Sequence, residues 1–336
     1  MSVALEAQAL RRVFRSYRRA PGWRGLWKNL VNREMFEIVA IEHIDLKVDR
    51  GEFLGLIGPN GAGKTTLVKA LTGIIPVTSG SARLLGTPAF QLGDEQKRRL
   101  ALVMGQRSQL WWDLPALDSF RLLQAIYAVP EGAFQERLAA FAAMLGVEGL
   151  LGRQLRQLSL GERMKMELIG AFVHGPEIVF LDEPTIGLDL LSKEAIRRFL
   201  VEINRDSGVT LVLTSHDMED IEDTCRRLVI LEQGKVLYDG DLVSLSQRVV
   251  GRRAVEIQLE PGSAVDEQGL EDVLERLGGT VAKRTTGGLT LLAPAVHTRE
   301  LVRALFDLVA VRDLSIERQP LEHLIRDIYA GRGGLG

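Results

Sequence analysis

The octapeptide GPNGAGKT at residues 58–65 constrains this chain more than any other feature. It matches the phosphate-loop pattern G-x-x-x-x-G-K-[ST]. Glycines let successive backbone N–H groups turn inward around an anion, and the following helix adds its positive N-terminal end. The apolar segment FLGLIG precedes the loop and the helix-forming run KTTLVKALTGI ends it, which is the strand–loop–helix context that the pattern requires. The sequence therefore predicts binding of a nucleotide through its phosphates.

Within this loop, Lys64 is expected to reach the β- and γ-phosphates and Thr65 to hold Mg²⁺ through its hydroxyl. The predicted nucleotide contacts are Gly58, Pro59, Asn60, Gly61, Ala62, Gly63, Lys64, Thr65 and Thr66. A second site is predicted where the apolar run EIVFLDE ends in Asp182 and Glu183. Asp182 is placed to bind Mg²⁺, and Glu183 to polarise the attacking water as a general base. Two solvated surface carboxylates are the alternative, which the phosphate loop in the same chain disfavours.

Composition limits the class of protein. The 336 residues, 46% of them hydrophobic, suit one large domain and a small one. A net charge of −2 gives no argument for nucleic acid as a partner, and none is expected. The lone Cys225 fits a reducing cytoplasm, and the N-terminus shows no secretory signal. No apolar run approaches the ~20 residues that span a bilayer, so any membrane-spanning part is expected from another chain.

The order of the apolar segments predicts an α/β nucleotide-binding core over residues 1–248. Short apolar runs bounded by polar turns fit buried parallel strands, and a helical subdomain at about 93–170 interrupts them. From residue 249 to 330 the pattern becomes β-α-β-β-α-β and then a last helix, which predicts a small ferredoxin-like α+β domain. The tail at 331–336 is expected to be flexible.

Further motifs select the kind of phosphate-loop protein. They are Gln106 after the strand RLALVMG, LSLGE at 158–162, TIGLD at 185–189, and His216 after the run LVLTS. In this order the chain resembles the ATP-binding cassette (ABC) ATPases over roughly residues 5–245. GPNGAGKT resembles their Walker A motif, Gln106 the Q-loop, LSLGE the signature, EIVFLDE Walker B, TIGLD the D-loop and His216 the switch histidine. A small-molecule kinase with the same loop would leave LSLGE and TIGLD unexplained.

The resemblance implies ATP and Mg²⁺ as ligands and a composite site between two cassettes facing head to tail. Ser159 and Gly161 of one cassette would touch the γ-phosphate of ATP bound to the other. The implied catalytic residues are Glu183, His216 and Lys64. The implied metal ligands are Thr65, Gln106 and Asp182, and Gln106 is also a nucleotide contact. Taken without the other motifs, His216 would be an ordinary histidine at a strand end, bonded to backbone.

Adenine is expected to stack on an aromatic residue shortly before the second strand, as in the family. Tyr17 and Phe36 are both candidates, with Tyr17 preferred, and each is otherwise an ordinary core or surface aromatic. The signature departs from the usual LSGGQ: Leu160 replaces a glycine and Glu162 a glutamine. We expect Leu160 to point away from the nucleotide, because Ser159 and Gly161 are retained.

One cassette without a long heptad run favours the energy subunit of a transporter over a soluble mechanical or regulatory ATPase. The expected partners are a membrane permease and a second copy of the cassette or a related one, at the cytoplasmic face of the inner membrane. The C-terminal pattern resembles ABC-2-type exporters, so export is preferred to import. The segment GQRSQLWWDLPALDSF resembles the region that receives a permease's coupling helix. Trp111 and Trp112 belong either to that groove or to the core of the helical subdomain.

An insertion at about 19–35 separates the first two strands. Plotted as a helix over 22–34, it places apolar side chains on one face: Trp23, Leu26, Trp27, Leu30 and Val31. The mostly opposite face carries Arg24, Lys28, Asn32 and Arg33. Tryptophan combined with basic residues is typical of helices that lie in a membrane interface. We expect a peripheral membrane or permease contact here, with packing on the cassette's own sheet as the alternative.

Overall fold

The structure is a computed structural model, and it describes residues 2–17, 35–105, 107–242, 244–245, 252–261, 265–285, 287–318 and 325. The predicted insertion helix, Gln106 and nearly all of the predicted last helix lie outside these residues. The contacts divide the chain into two units, Met1–Gly240 and Asp241–Gly336. Among the described residues, no helix is both long enough and apolar enough to cross a membrane.

The first unit contains two sheets. Their strands are β1 (Val3–Tyr17), β2 (Met35–Asp49), β3 (Phe53–Ile57), β4 (Ser79–Leu84), β5 (Thr87–Pro88), β6 (Leu100–Met104), β7 (Ile178–Asp182), β8 (Thr210–Thr214), β9 (Arg227–Glu232) and β10 (Lys235–Asp241). One sheet has the order β10-β9-β3-β8-β7-β6, and the other has the order β2-β1-β4-β5. The phosphate loop therefore leaves the middle of the larger sheet, at the end of β3.

The larger sheet is built from continuous apolar runs because both of its faces are covered. Every residue of β3, β7 and β8 is buried, and β3 pairs in parallel with β8 and β9. Parallel strands of this kind end on the same edge, so the residues after β3, β7 and β8 are brought together there. The predicted α/β core is confirmed.

The smaller sheet pairs β1 antiparallel to β2 and to β4. Burial alternates along the second half of β2, where Ile44, Leu46 and Val48 face the core and the residues between them are exposed. This period of two is typical of a sheet with one wet face.

The helices of the first unit are α1 (Lys64–Leu71), α2 (Asp94–Lys97), α3 (Ala116–Tyr127), α4 (Glu131–Leu145), α5 (Leu160–Phe172), α6 (Leu190–Ser207) and α7 (Met218–Thr224). The helices α3, α4 and α5 follow β6 and form the predicted helical block. Aromatic side chains pack this block against α6. The ring of Phe172 contacts those of Phe141 and Phe199 edge-to-face, with centroids 6.5 and 5.4 Å away. Edge-to-face packing of this kind adds to the gain from burial.

The second unit has the predicted β-α-β-β-α-β order. Its elements are β11 (Arg252–Leu259), α8 (Glu267–Leu277), β12 (Thr280–Thr285), β13 (Gly288–Pro294), α9 (Thr298–Leu308) and β14 (Val311–Arg318). The sheet order is β12-β13-β11-β14 with antiparallel pairing. Val255 and Ile257 of β11 lie in its core with Leu270 of α8 and Leu301 of α9. The two amphipathic helices pack their apolar sides on one face of this sheet, which is the ferredoxin-like arrangement.

Candidate nucleotide site

The phosphate loop, residues 58–65, connects β3 to α1 in a conformation that needs glycine. Gly61 and Gly63 have φ of 84° and 104°, in the left-handed region. A side chain at Gly63 would also place its Cβ 2.5 Å from the carbonyl oxygen of Ala40. Gly63 gives α1 no side-chain cap, so the first N–H groups of the helix are available to an anion.

Lys64 is buried in this loop, with 6% of its side chain exposed. Its Nζ donates to the carbonyl oxygens of Gly58 at 2.7 Å and Pro59 at 3.3 Å, and lies 3.9 Å from Glu183 Oε1. Burial lowers the pKa of Lys64, and the carboxylates of Glu183 and Asp182 oppose that shift. The ammonium is thus held by carbonyl dipoles that phosphate oxygens can replace.

Thr65 and Asp182 come together from two elements that are far apart in sequence. Thr65 Oγ1 donates to Asp182 Oδ2 at 2.9 Å, and Thr214 Oγ1 donates to Asp182 Oδ1 at 2.6 Å. A hydroxyl and a carboxylate are hard oxygen donors that suit Mg²⁺, which also takes phosphate and water oxygens. Within the described residues no cluster of three or more His, Cys, Asp or Glu could hold a metal ion.

Glu183 follows Asp182, and its carboxylate lies between Lys64 and His216. Its Oε2 is 3.7 Å from His216 Nδ1, and its Oε1 is the oxygen near Lys64. The φ of Glu183 is 54°, a left-handed conformation that costs a non-glycine residue about 1–2 kcal/mol. Its N–H donates to the backbone and hydroxyl oxygens of Thr214, both at 3.1 Å. Strain maintained in this way is typical of functional positions.

Thr65, Asp182, Glu183 and His216 open onto one cavity of about 500 Å³. Its lining includes residues from the phosphate loop, the end of β6 and the ends of β7 and β8: Asn60, Thr65, Gly105, Asp182, Glu183 and His216. The sequence predicted most of this set from its motifs. Gly105 is an addition, and a Cβ there would lie 2.1 Å from the carbonyl oxygen of Glu183, so the two segments are in direct backbone contact.

The signature residues begin helix α5 in a capping box. Ser159 Oγ accepts from the N–H of Glu162 at 3.2 Å, and Glu162 Oε2 accepts from the N–H of Ser159 at 2.8 Å. This explains Glu162, whose role sequence reasoning missed although S-x-x-E before an apolar run is the pattern of such a box. Gly161 lies against α6: a Cβ there would meet Ser192 Oγ at 2.2 Å.

Leu160 is partly exposed at the start of α5. Its Cδ2 lies 3.5 Å from the position that a Cβ on Gly187 would take, so the side chain rests on the 185–189 loop of its own chain. It also lines a cavity with Trp112 and Ile186. In this chain the extra bulk of the signature is accommodated against that loop.

A buried polar network behind His216 was not predicted. Asp220, with 1% of its surface exposed, accepts hydrogen bonds from Thr185 Oγ1, from Ser215 Oγ at 3.0 Å and from Arg197 Nε at 2.7 Å. Thr185 starts the TIGLD segment and Ser215 precedes His216. Asp220 therefore joins the loop after β7 to the loop after β8.

The predicted adenine contacts are less defined. The backbone of β1 pairs Tyr17 with Met35 and Ser16 with Phe36, which places both candidates at the same end of the long β1–β2 hairpin. Phe36 is exposed. The side chain of Tyr17 and the whole of Gln106 lie outside the described part of the chain, so their predicted roles stay predictions.

Trp111 and Trp112 are exposed, with 41% and 47% of their surface accessible. The alternative that they fill the core of the helical block is therefore wrong. The guanidinium of Arg163 in α5 lies 4.7 Å from the ring centre of Trp112, a cation–π contact. A nearby apolar groove of about 620 Å³ runs between the helical block and β6, and its lining includes Ile74, Phe90, Leu102, Leu110 and Leu123.

Comparison with known proteins agrees with this geometry. The sequence profile of the family described as "ABC transporter" matches residues 41–186. The Nod factor export ATP-binding protein I of Cupriavidus pinatubonensis is 30% identical over 227 residues, which are 68% of this chain and 69% of that protein. The methionine import ATP-binding protein MetN 2 of Enterococcus faecalis is 28% identical, with 71% of each chain covered.

Two further comparisons concern length and fold. An uncharacterized ABC transporter ATP-binding protein of Synechocystis, sll0415, is 31% identical over 66% of this chain, and the match spans 60% of that relative's length. A solved structure titled as an ATP-binding subunit of an ABC transporter superposes with a TM-score of 0.60 at 25% identity. That superposition covers 73% of this chain and 92% of the other.

Proposed function

We propose a transport function from the premise that this chain belongs to the ATP-binding proteins of the ABC transporter family and is an ATPase. Its hydrolysis of ATP drives a membrane permease, in the direction of export. The observation that carries the proposal is the position of Glu183, between Lys64 and His216 and beside the Thr65–Asp182 pair. This arrangement supplies a base, a phosphate ligand and a metal site in one cavity.

Hydrolysis requires a base next to the attacking water and positive groups around the γ-phosphate. Glu183 supplies the base, and its N–H bonds to Thr214 fix its backbone. Lys64 exchanges its carbonyl acceptors for β- and γ-phosphate oxygens, and the N–H groups at the start of α1 bind the same phosphates. His216 orients the γ-phosphate next to Glu183.

The hydroxyl of Thr65 and the carboxylate of Asp182 are the residues that would hold Mg²⁺, and Gln106 is the third proposed ligand. Bound there, the metal ion would neutralise the charge that develops on the β- and γ-phosphates. Thr214 keeps Asp182 oriented by donating to its second oxygen.

A second copy of the cassette, or a related one, completes the site in this proposal. Ser159 and Gly161 of the partner would contact the γ-phosphate. The surface beside TIGLD supports this: Leu190 and Leu191 at the start of α6 are 61% and 75% exposed. Exposed adjacent leucines favour a surface that another protein covers.

The apolar groove between the helical block and β6 is the proposed docking site for a helix of the permease. Its rim residues Ile74 and Phe90 are 52% and 57% exposed, although both are large and apolar. Lys97 and Arg107 also line it and can pair with an acidic group on the bound helix. The chain would then lie peripherally at the cytoplasmic face of the inner membrane.

Export is proposed from the Nod factor export relative and from the C-terminal pattern, although the relatives also include a methionine import protein. The insertion at about 19–35 is proposed to touch the inner leaflet or the permease beside it. This position agrees with the β1–β2 hairpin, which carries exposed Met35, Ile38 and Val39 next to the insertion.

Co-purification with a membrane permease tests the proposal. We expect the wild-type chain to be retained by a tagged permease in detergent, and Phe90→Asp to be lost from it while still binding ATP. Phe306→Asp is the matched control, because Phe306 is 58% exposed against 57% for Phe90 and lies in the second unit. If neither the wild-type chain nor its ATPase activity responds to the permease, the chain acts as a soluble ATPase and the transport proposal is wrong.

Direction is tested separately, by whether ATP drives substrate into or out of inverted vesicles.

A further inference from the structure

Glu167 is a buried carboxylate on helix α5 that the hydrolysis mechanism does not use. Its residue surface is 7% exposed. Its Oε1 accepts from the hydroxyl of Ser108, and the carboxylate also accepts from the N–H of Gln109 at 3.0 Å and of Leu110 at 3.4 Å. Removing water from this carboxylate raises the pKa of Glu167, and the three donors oppose that effect. Burying a charge costs free energy unless hydrogen-bond donors stay in place around it, so Glu167 and its donors hold one another in position.

Residues 107–112 run from the nucleotide cavity to the apolar groove, and Glu167 accepts hydrogen bonds from Ser108, Gln109 and Leu110 within them. Two residues before this segment, Gly105 donates its N–H to Asp182 O at 2.8 Å and is in backbone contact with Glu183. Arg107 lines the nucleotide cavity, and Arg107 and Leu110 line the groove. A displacement in the groove therefore acts on a segment that starts close to the catalytic carboxylates.

The helix on the other side of this contact carries the signature residues. Glu167 lies four positions after Arg163, so the two side chains share one face of α5. Arg163 holds Trp112 by the cation–π contact, and Glu167 holds Ser108 and its neighbours. The same helix begins at Ser159 with its capping box. One rigid helix thus joins residues 108–112 to the residues that face a second nucleotide.

We propose that Glu167 is a positioning residue that makes helix α5 and residues 108–112 move as one body. Occupation of the groove then sets the position of Ser159 and Gly161 relative to ATP on the partner cassette. This inference rests on the proposed function, because it takes the groove to be the permease site. Glu167 lies in the wall of that groove, and its carboxylate is bonded to Ser108, Gln109 and Leu110 of its own chain.

Tryptophan fluorescence of the isolated chain tests the coupling without the permease. In a Trp23→Phe/Trp27→Phe background, Trp111 and Trp112 are the remaining tryptophans. With Glu183→Gln added to hold the ATP-bound dimer, we expect ATP to shift their emission. In Glu167→Ala that shift should be lost, while the affinity for a fluorescent ATP analogue stays within about twofold, because the phosphate loop is untouched.

Kinetics with the permease in vesicles form the second arm. Glu167→Ala should lower the permease-stimulated kcat about tenfold with little change in KM, the size of effect that mutations along a coupling network produce. Ser108→Ala should lower kcat in the same direction, and the double variant should be no slower than Glu167→Ala, because both act through one contact. Glu167→Gln should recover much of the loss, since its carbonyl oxygen still accepts one N–H and the Ser108 hydroxyl can accept from its amide. Glu136→Gln, an exposed glutamate on α4, is the matched control.

Three results would overturn the inference. One is a Glu167→Ala protein with wild-type emission shift and wild-type stimulation. Another is additive loss in the double variant. The third is a loss of ATP binding together with a lower melting temperature in all three single variants, Glu167→Ala, Glu167→Gln and Ser108→Ala. That result would mean that Glu167 only stabilises the fold. Should the wild-type chain show the emission shift but no response to the permease, the transport proposal fails and the coupling through Glu167 stands.

Discussion

His216 Nδ1 lies 3.7 Å from Glu183 Oε2, although the two residues follow the ends of different strands of the central sheet, β8 and β7. The parallel pairing of β7 with β8 brings them together, because Asp182 and Thr214 are direct neighbours across that pair. The contact places the proposed base beside the proposed γ-phosphate ligand. The catalytic geometry is therefore built into the sheet register.

Glu183→Gln should abolish hydrolysis and preserve ATP binding, since the amide keeps the shape of the carboxylate and loses its basicity. We expect kcat to fall about 10²–10⁴-fold, the usual loss when a general base is removed. Phosphate release measures the rate, and light scattering should show dimers that form only with ATP. Glu136→Gln should behave as wild type, and near-normal turnover in Glu183→Gln would refute the assignment.

Leu160→Gly tests whether the bulky signature residue obstructs the nucleotide. Because the Leu160 side chain rests on Gly187 of its own chain, we expect turnover of Leu160→Gly and Leu160→Ala to stay close to that of wild type. The measurement is steady-state ATPase activity of the dimer. A many-fold rise would show that Leu160 occupies space needed by the partner's ATP.

His174 predicts a pH-dependent stability. Its ring stacks on Tyr127 at 4.0 Å between centroids, and burial, with a smaller effect from Arg137, lowers its pKa from 6.5 to about 4. Between pH 6.5 and pH 4 this imidazole is protonated in the unfolded chain and neutral in the folded chain. Its contribution to the free energy of unfolding therefore falls as pH drops from 6.5 towards 4. The slope is at most about 1.4 kcal/mol per pH unit.

Melting temperatures at pH 7.5 and 5 measure this effect. His174→Phe keeps the stacked ring and carries no proton, so its melting temperature should fall less between the two pH values than that of the wild-type chain. Equal pH dependence in wild type and His174→Phe would contradict the assignment.

The insertion is tested by a Trp23→Ala/Trp27→Ala variant. If the segment lies in the membrane interface, this variant should keep its ATPase activity in solution and lose flotation with vesicles that contain anionic lipid. Phe306→Ala, which removes an exposed aromatic elsewhere, should float as the wild-type chain does. Unfolding of the double variant, or loss of its ATPase activity, would place the two indoles in the cassette's own packing instead.

Local sequence patterns were sufficient to predict the central fold. The continuous apolar runs of β3, β7 and β8 and the β-α-β-β-α-β order after residue 249 are both present in the structure. The short strands β4 and β5 were not predicted, because SGSARL and TP carry little apolar periodicity and form strands only by pairing with β1 and with each other. Tertiary pairing decided their conformation.

The site was predictable where a motif is contiguous and unpredictable where it depends on distant contacts. Lys64, Thr65, Asp182 and Glu183 each stand in a recognisable local context. The left-handed backbone of Glu183 has no such signal, since its cause is the pairing with Thr214 on another strand. Contacts such as Glu167 with Ser108 join residues 59 positions apart, and no local spacing reveals them.

The position of β3 has a consequence for synthesis on the ribosome. Phe53 pairs with Leu211 of β8, and Leu54 pairs with Arg227 of β9. Gly51 donates its N–H to Thr210 Oγ1 across 159 positions of the chain. At 5–20 residues per second, the phosphate-loop strand waits about 10–30 s for the partners that cover it. During that interval an apolar segment is exposed next to its glycine-rich loop, so this is the stage at which we expect the nascent chain to need a chaperone.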